Sequence, residues 1–207
     1  MKWQGRRESR NIEDRRGRSK TRAAGGIGGV GLVAVLVVGY FLGIDVTSLL
    51  QSRGGGKMVA SSEMTAEDKS AGQFVSVTLA DTEEVWAQVF KDQLGRHYTP
   101  ATLVLLKGVT QSPCGGASGA SGPFYCPGDN KAYLDTDFFV TLERQLGAKG
   151  DFAAAYVVAH EIAHHVQGEL GILSRANEVR AQVSLAESNA ISVRMELQAD
   201  CFAGIWA

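Results

Sequence analysis

The stretch His160-Glu161-Ile162-Ala163-His164 decides how this chain of 207 residues is interpreted. It lies within residues 151–170, DFAAAYVVAHEIAHHVQGEL, whose apolar residues follow the period of a helix. Residues four apart lie on one face of a helix, one turn from each other. Both imidazoles can therefore point at one metal ion, and Glu161 can reach a water molecule on that ion. Neutral nitrogen ligands, an open coordination position and a nearby base are what a catalytic Zn²⁺ requires.

A third zinc ligand is expected downstream, because catalytic zinc sites usually have three protein ligands. Glu196 is the preferred candidate: it lies four residues before Asp200 in an otherwise apolar helical segment. Two acids on such a face need partners, since burying an unpaired charge is costly. With Glu196 as ligand, Asp200 can accept a hydrogen bond from a ligand imidazole. Glu187 and Asp200 itself stay open as third ligands, and an ion pair with Arg194 is the structural alternative for Glu196.

Glu161 is expected to be the general base. It would take a proton from the zinc-activated water as that water attacks an amide carbonyl, and pass the proton to the leaving amine. His165 lies one step around the helix from the second ligand and is interpreted as a satisfied or partly exposed histidine. Three tyrosines could donate to the developing oxyanion, and the sequence does not choose among them: Tyr125, Tyr133 and Tyr156.

Charge is distributed unevenly along the chain. Residues 1–22 have a net charge of +6 and the remainder a net charge of −7. An acidic body would repel phosphates, so no nucleic-acid partner is expected. Residues 23–44 contain no charged residue, and about 20 apolar residues suffice to cross a bilayer. The positive-inside rule then predicts a basic cytoplasmic tail, a single transmembrane anchor over 23–44, and a periplasmic or extracellular remainder. A cleaved signal peptide and a buried core helix are the alternatives that the length disfavours.

The remaining chain is expected to hold a flexible linker over 45–72 and one domain over 73–207. Its fold class is predicted as α+β, with a small antiparallel or mixed sheet packed on the helix that carries the motif. Strands are expected at 74–79, 102–106 and 131–135, the last two as an antiparallel hairpin. Helices are expected at 81–94, 138–146, 151–169, 176–186 and 189–206.

The three cysteines fit an oxidising compartment. Cys114 and Cys126 bound a loop rich in Gly and Ser, and their pairing as a disulfide is the natural interpretation outside the cytosol. Cys201 has apolar neighbours and is predicted to be a buried thiol.

The chain resembles the bacterial membrane-anchored family called putative neutral zinc metallopeptidases. The resemblance covers nearly the whole chain, including the basic N-terminus and the glycine-rich segment after it. The matching motifs are Cys114-Gly115-Gly116, Gly122 to Pro127, Tyr133-Leu134-Asp135, residues 160–167 and residues 192–207. It implies a zincin-type fold, with His160 and His164 as ligands and Glu161 as catalyst. Family members usually continue past the segment that matches Ala207, so the chain is expected to be a fragment.

These observations predict a zinc metalloendopeptidase that acts on a protein or peptide substrate. We expect a single-pass protein of the inner membrane, with His160, His164 and Glu196 as metal ligands. The alternative function is a non-proteolytic, membrane-anchored zinc-binding protein with a regulatory or interaction role, and a non-peptide amidase is a third possibility.

Overall fold

The structure is a computed structural model that describes residues 1–17, 64–118, 122–144, 147 and 150–207. Within these residues the fold is α+β, as predicted, with a mixed sheet and five helices. The strands are β1 (Ile12–Asp14), β2 (Thr102–Leu106), β3 (Val109–Ser112), β4 (Gly115–Ser118), β5 (Phe124–Cys126) and β6 (Lys131–Asp135). The helices are α1 (Ala66–Leu94), α2 (Phe138–Arg144), α3 (Asp151–Glu169), α4 (Ile172–Arg180) and α5 (Leu185–Trp206).

The main sheet has the order β1-β2-β6-β5. β1 and β6 both run parallel to β2, whereas β5 runs antiparallel to β6. The predicted strands β2 and β6 are confirmed, but their pairing as an antiparallel hairpin is wrong, since Thr102 lies opposite Lys131 in a parallel register. Parallel neighbours need a long crossover, and the chain between them holds the small hairpin β3–β4 and then β5.

The two faces of the sheet belong to two separate apolar clusters, because successive side chains of a strand point to opposite faces. Leu103 and Leu105 of β2 pack with the helices in the larger core. Val104 and Leu106 pack on the other face, in a small cluster with Ala117, Cys126 and Tyr133. The helix that carries the motif therefore packs on one face of the sheet through the larger core.

The cysteine predictions have mixed outcomes. The disulfide between Cys114 and Cys126 is present, with Cα atoms 5.8 Å apart, and it ties the β3–β4 hairpin to β5. The prediction for Cys201 is wrong, because this free cysteine is exposed on α5.

Helix α1 replaces the strand predicted at 74–79, and it begins within the segment predicted as a linker. Thr65 caps it in a reciprocal capping box with Asp68, which fixes the start of the helix well before that strand. The residues from Phe74 to Ala80 are all buried, so packing on every side overrides their β-branched character. The hydroxyl of Thr78 donates to the carbonyl of Phe74 one turn earlier, which satisfies a polar group inside the core.

The N-terminal residues, predicted to be an unpacked tail, form part of the fold. β1 pairs with β2, with Glu13 opposite Val104. Trp3 is buried and contacts the ring of Phe74 edge-on, with centroids 5.6 Å apart. The guanidinium of Arg16 lies against α1 at Gly72, where any larger residue would have to displace it. Residues 1–16 and 64–207 together make one compact unit.

This packing corrects the membrane predictions. A single crossing by residues 23–44 would put residues 1–16 and 64–207 on opposite sides of a bilayer, so β1 could not join the sheet. In addition, none of the helices within the described ranges is long and apolar enough to span a membrane. The predicted N-terminal transmembrane helix and the single-pass location with a cytoplasmic N-terminus are therefore wrong. Residues 23–44 themselves lie outside the described residues, as does most of the predicted linker over 45–72.

The place of β1 in the sheet can be tested through Glu13, whose carboxylate bonds Arg15 at 2.9 Å and Lys131 of β6 at 2.7 Å. Hydrogen bonds from Arg15 and then Lys131 lower the pKa of Glu13 from 4.5 to about 2. Because the folded pKa is depressed, the stabilisation is complete above pH 4.5 and is lost as the pH falls toward 2. We expect Glu13→Gln to reduce the free energy of unfolding by about 1 kcal/mol at pH 7 and by less at pH 3, measured by denaturant titration.

The same substitution at exposed Glu143 is the control for removing one carboxylate. A Glu13→Gln effect that matches the Glu143→Gln effect at both pH values would contradict the placement of β1.

Candidate metal centre

Helix α3 turns one face to the core and another to α5. Ala155, Val158, Ile162 and Val166 recur at helical spacing and are completely buried in the larger core. This anchoring fixes the rotation of α3. His160 and His164 then lie on the face that contacts α5, as their bonds to that helix show. The predicted helix over 151–169 is confirmed.

Three candidate ligand atoms converge between the two helices. Those of His160, His164 and Glu196 all lie within 4.8 Å of one another. The carboxylate oxygen Oε2 of Glu196 is 3.2 Å from Nε2 of His160 and 3.3 Å from Nε2 of His164. Ligands about 2.0–2.1 Å from a tetrahedral zinc ion are about 3.3–3.4 Å apart, so the two distances from Glu196 suit zinc.

The other nitrogen of each imidazole is held by an acceptor. Nδ1 of His160 is 3.0 Å from Oδ1 of Asp200, and Nδ1 of His164 is 2.9 Å from the amide oxygen of Gln167. Both partners can accept from Nδ1–H, so they favour, in each neutral ring, the tautomer that leaves a lone pair at Nε2. In that tautomer, two lone pairs and a carboxylate oxygen face one another. A divalent cation satisfies such a donor set, so the residues present fit zinc.

Glu161 lies on the adjacent, inward side of α3. It is 8% exposed, and the backbone N–H of Tyr125 donates to its carboxylate. Burial raises the pKa of Glu161 to about 7, with electrostatic contributions from His160, which lowers it, and Glu196, which raises it. A buried carboxylate beside the three donor atoms can accept a proton from a water molecule that is held between those atoms.

The donor to Glu161 belongs to the edge strand of the sheet. β5 is last in the sheet order, and Tyr125 stands opposite Ala132 of β6. The N–H of Tyr125 turns away from β6 toward α3, so Glu161 lies at the free edge of β5. The sheet and the motif helix therefore meet at Glu161.

His165 is a buried structural histidine, in agreement with the interpretation as a satisfied residue. Its Nε2 is 2.7 Å from the carbonyl oxygen of Thr99, so Nε2 donates. Its Nδ1 lies 3.3 Å from the hydroxyl oxygen of Tyr125, whose proton is donated to the amide oxygen of Asn130. Burial lowers the pKa of His165, which keeps the ring neutral.

The three tyrosines considered for the oxyanion differ in their hydrogen-bond partners. The hydroxyl of Tyr133 donates to Asp129, and that of Tyr125 contacts Asn130 and His165. The hydroxyl of Tyr156 is 3.1 Å from the backbone oxygen of Asp200, the residue that also holds His160. Among these three, Tyr156 alone shares a partner with a candidate ligand.

The two alternative third ligands, Glu187 and Asp200, do not join the converging donor atoms. Glu187 takes part in the reciprocal capping box with Ser184 at the start of α5, about two and a half turns of helix before Glu196. Asp200 bonds Nδ1 of His160, on the far side of the ring from the converging Nε2 atoms. Within the described residues, Glu196 is paired with the two histidines and not with Arg194.

Gln167 is a residue of the centre that sequence analysis missed. Its side chain is completely buried between α3 and α5 and bonds His164. The signal was present, because a Gln three residues after a ligand lies on the same helix face as that ligand.

Comparison with known proteins assigns the sequence to a family. The profile of the family described as putative neutral zinc metallopeptidase matches residues 1–207. The chain belongs to this family. Two uncharacterised relatives show how far the similarity extends. The protein YpfJ of Escherichia coli strain K12 is 44% identical over 215 residues, covering 100% of this chain and 74% of that protein. The protein Mb2605 of Mycobacterium bovis is 46% identical over 138 residues, covering 66% of this chain and 45% of that protein.

No solved structure gives a significant match to this member of the metallopeptidase family. The description of the fold as zincin-like therefore stays a prediction from the resemblance, while the family itself and its association with zinc are shown.

The role of Glu196 can be tested by metal affinity. We expect Glu196→Ala to weaken zinc binding by at least about a hundredfold, because it removes one of three converging donors. Competition with a chelator measures the dissociation constant. Glu187→Ala is the matched control on the same helix: it loses the capping box with Ser184 and should keep the wild-type zinc affinity. Equal affinities for wild type and Glu196→Ala would remove Glu196 from the site.

Proposed function

We propose that this protein is a zinc-dependent peptidase, with His160, His164 and Glu196 as metal ligands and Glu161 as general base. The observation that carries the proposal is the buried carboxylate of Glu161 beside three converging donor atoms. When bound there, zinc supplies a Lewis acid that activates a water molecule and polarises a carbonyl. Glu161 accepts the proton of the attacking water and delivers it to the leaving amine.

The number of donors supports a catalytic site over a structural one. Structural zinc sites usually have four protein ligands, whereas a catalytic site keeps a position open. Within the described residues the cluster has three members, and Asp200, the next acid, is engaged with Nδ1 of His160. This observation disfavours the alternative of a non-proteolytic zinc-binding protein.

The exposure of the site supports a large substrate. The side chains of Glu196 and Asp200 are 59% and 50% exposed, so the α5 side of the centre is open to solvent. On the opposite side, the free edge of β5 borders Glu161. An extended peptide can pair with the edge strand of a sheet, which favours a peptide over a small amide as the substrate.

The general base is tested by Glu161→Gln, which keeps the shape of the side chain and removes its basicity. We expect the variant to bind zinc with at most a small change in affinity and to lose about 10²- to 10⁴-fold in kcat/KM. Hydrolysis of unfolded protein and of a fluorogenic peptide library is the activity measurement. Glu169→Gln, at the end of the same helix, is the matched control and should retain wild-type activity.

Two outcomes would reject the proposal. A Glu161→Gln variant that hydrolyses peptides at the wild-type rate would exclude Glu161 as the base. A zinc-loaded wild type that cleaves small amides but neither proteins nor peptides would replace the peptidase by an amidase.

A further inference from the structure

We propose that Gln167 is a positioning residue for the metal centre. It holds His164 as the tautomer with the proton on Nδ1 and ties that ring to α5, the helix that carries Glu196. The tautomer is a property of the metal-free protein, whereas the consequence for zinc rests on the proposed function.

The side chain of Gln167 is completely buried, and each of its two polar atoms has a partner. Its amide oxygen accepts from Nδ1 of His164 at 2.9 Å. Its amide nitrogen donates to the backbone oxygen of Met195 at 2.8 Å and to the amide oxygen of Gln198 at 3.1 Å. A buried polar group that loses its partners costs free energy, so this network resists rearrangement.

The backbone oxygen of Met195 determines the direction of the hydrogen bonds that Gln167 makes with Met195 and His164. A carbonyl oxygen can only accept, so the group facing it must be the NH₂ of Gln167. A flipped amide would put two acceptors against each other. The amide oxygen of Gln167 is then left for His164, and an acceptor there requires a proton on Nδ1. In the neutral ring, the lone pair of His164 therefore lies on Nε2, the atom that faces Glu196.

The two histidines are held by different means. His160 bonds the charged and half-exposed Asp200, whereas His164 bonds a neutral amide sealed from water. A neutral acceptor suits a completely buried position, since a carboxylate there would carry an unpaired charge. Gln167 also contacts the residue immediately before Glu196. One side chain thus fixes the ring of one ligand relative to the helix of another.

The direct test is the tautomer of His164 in the metal-free, ¹⁵N-labelled full chain, measured by long-range ¹H–¹⁵N correlation at a pH where the ring is neutral. We expect a pyrrole-type shift at Nδ1 and a pyridine-type shift at Nε2. A wild-type His164 that is mainly protonated on Nε2 would overturn the proposal without any variant.

Two variants separate the hydrogen bond from packing. Gln167→Met keeps the length of the side chain and removes the acceptor, so His164 should shift toward the Nε2–H tautomer. Affinity for Zn²⁺ alone should fall about 10- to 100-fold, as is usual when the partner of a ligand histidine is lost. Gln167→Glu should keep the Nδ1–H tautomer, because burial favours the neutral carboxylic acid, which keeps an acceptor for His164 and a donor for the oxygen of Met195. Thr78→Val, which removes a buried hydroxyl from α1, is the control for lost stability and should change neither tautomer nor affinity.

The outcomes distinguish this inference from the proposed function. An unchanged tautomer in Gln167→Met, or a loss of the Nδ1–H tautomer in Gln167→Glu, would reject the role of Gln167 even in an active zinc peptidase. A wild type with the expected tautomer that binds no zinc would support the role of Gln167 in fixing the ring and reject the proposed function.

Discussion

The close antiparallel contact between α3 and α5 is the constraint on which the site depends. Partners pair in reverse order along the two helices: Tyr156 with Asp200, His160 with Asp200 and Glu196, His164 with Glu196, and Gln167 with Met195. A carboxylate on α5 can reach both imidazoles only if the helix axes are close. Ala199 and Ala203, which are completely buried, provide that proximity, because the distance between packed helices follows the size of the side chains at the contact.

The rest of the fold holds α3 at the correct rotation for this contact. The sheet supports the apolar face of α3, and α1 packs beside it in the same core. The N-terminal segment adds to the support, since the indole of Trp3 donates to Asp151 in the first turn of α3. Residues at the very start of the chain thus contribute to the scaffold of a site near its end. This arrangement also explains why residues 1–16 cannot be a separate tail across a membrane.

The centre was more predictable from sequence than the fold around it. The positions of His160 and His164 follow from one period of a helix, and the pair Glu196 and Asp200 stood out as acids on an apolar face. The prediction of a strand at 74–79 was wrong because this part of α1 is buried on all sides, which leaves no helical period of apolar and polar residues. The place of β1 was missed because it has three residues, two of them acidic, and pairs with a strand about 90 residues away. The parallel pairing of β2 with β6 depends equally on such long-range contacts.

Zinc-edge anomalous diffraction from a zinc-loaded crystal of the full chain tests the central claim most directly. The account predicts one strong peak between α3 and α5, with Nε2 of His160, Nε2 of His164 and a carboxylate oxygen of Glu196 each about 2.0–2.2 Å away. It also predicts that Asp200 stays on Nδ1 of His160 and is not a ligand. A peak elsewhere, or one coordinated by the histidines without Glu196, would contradict it.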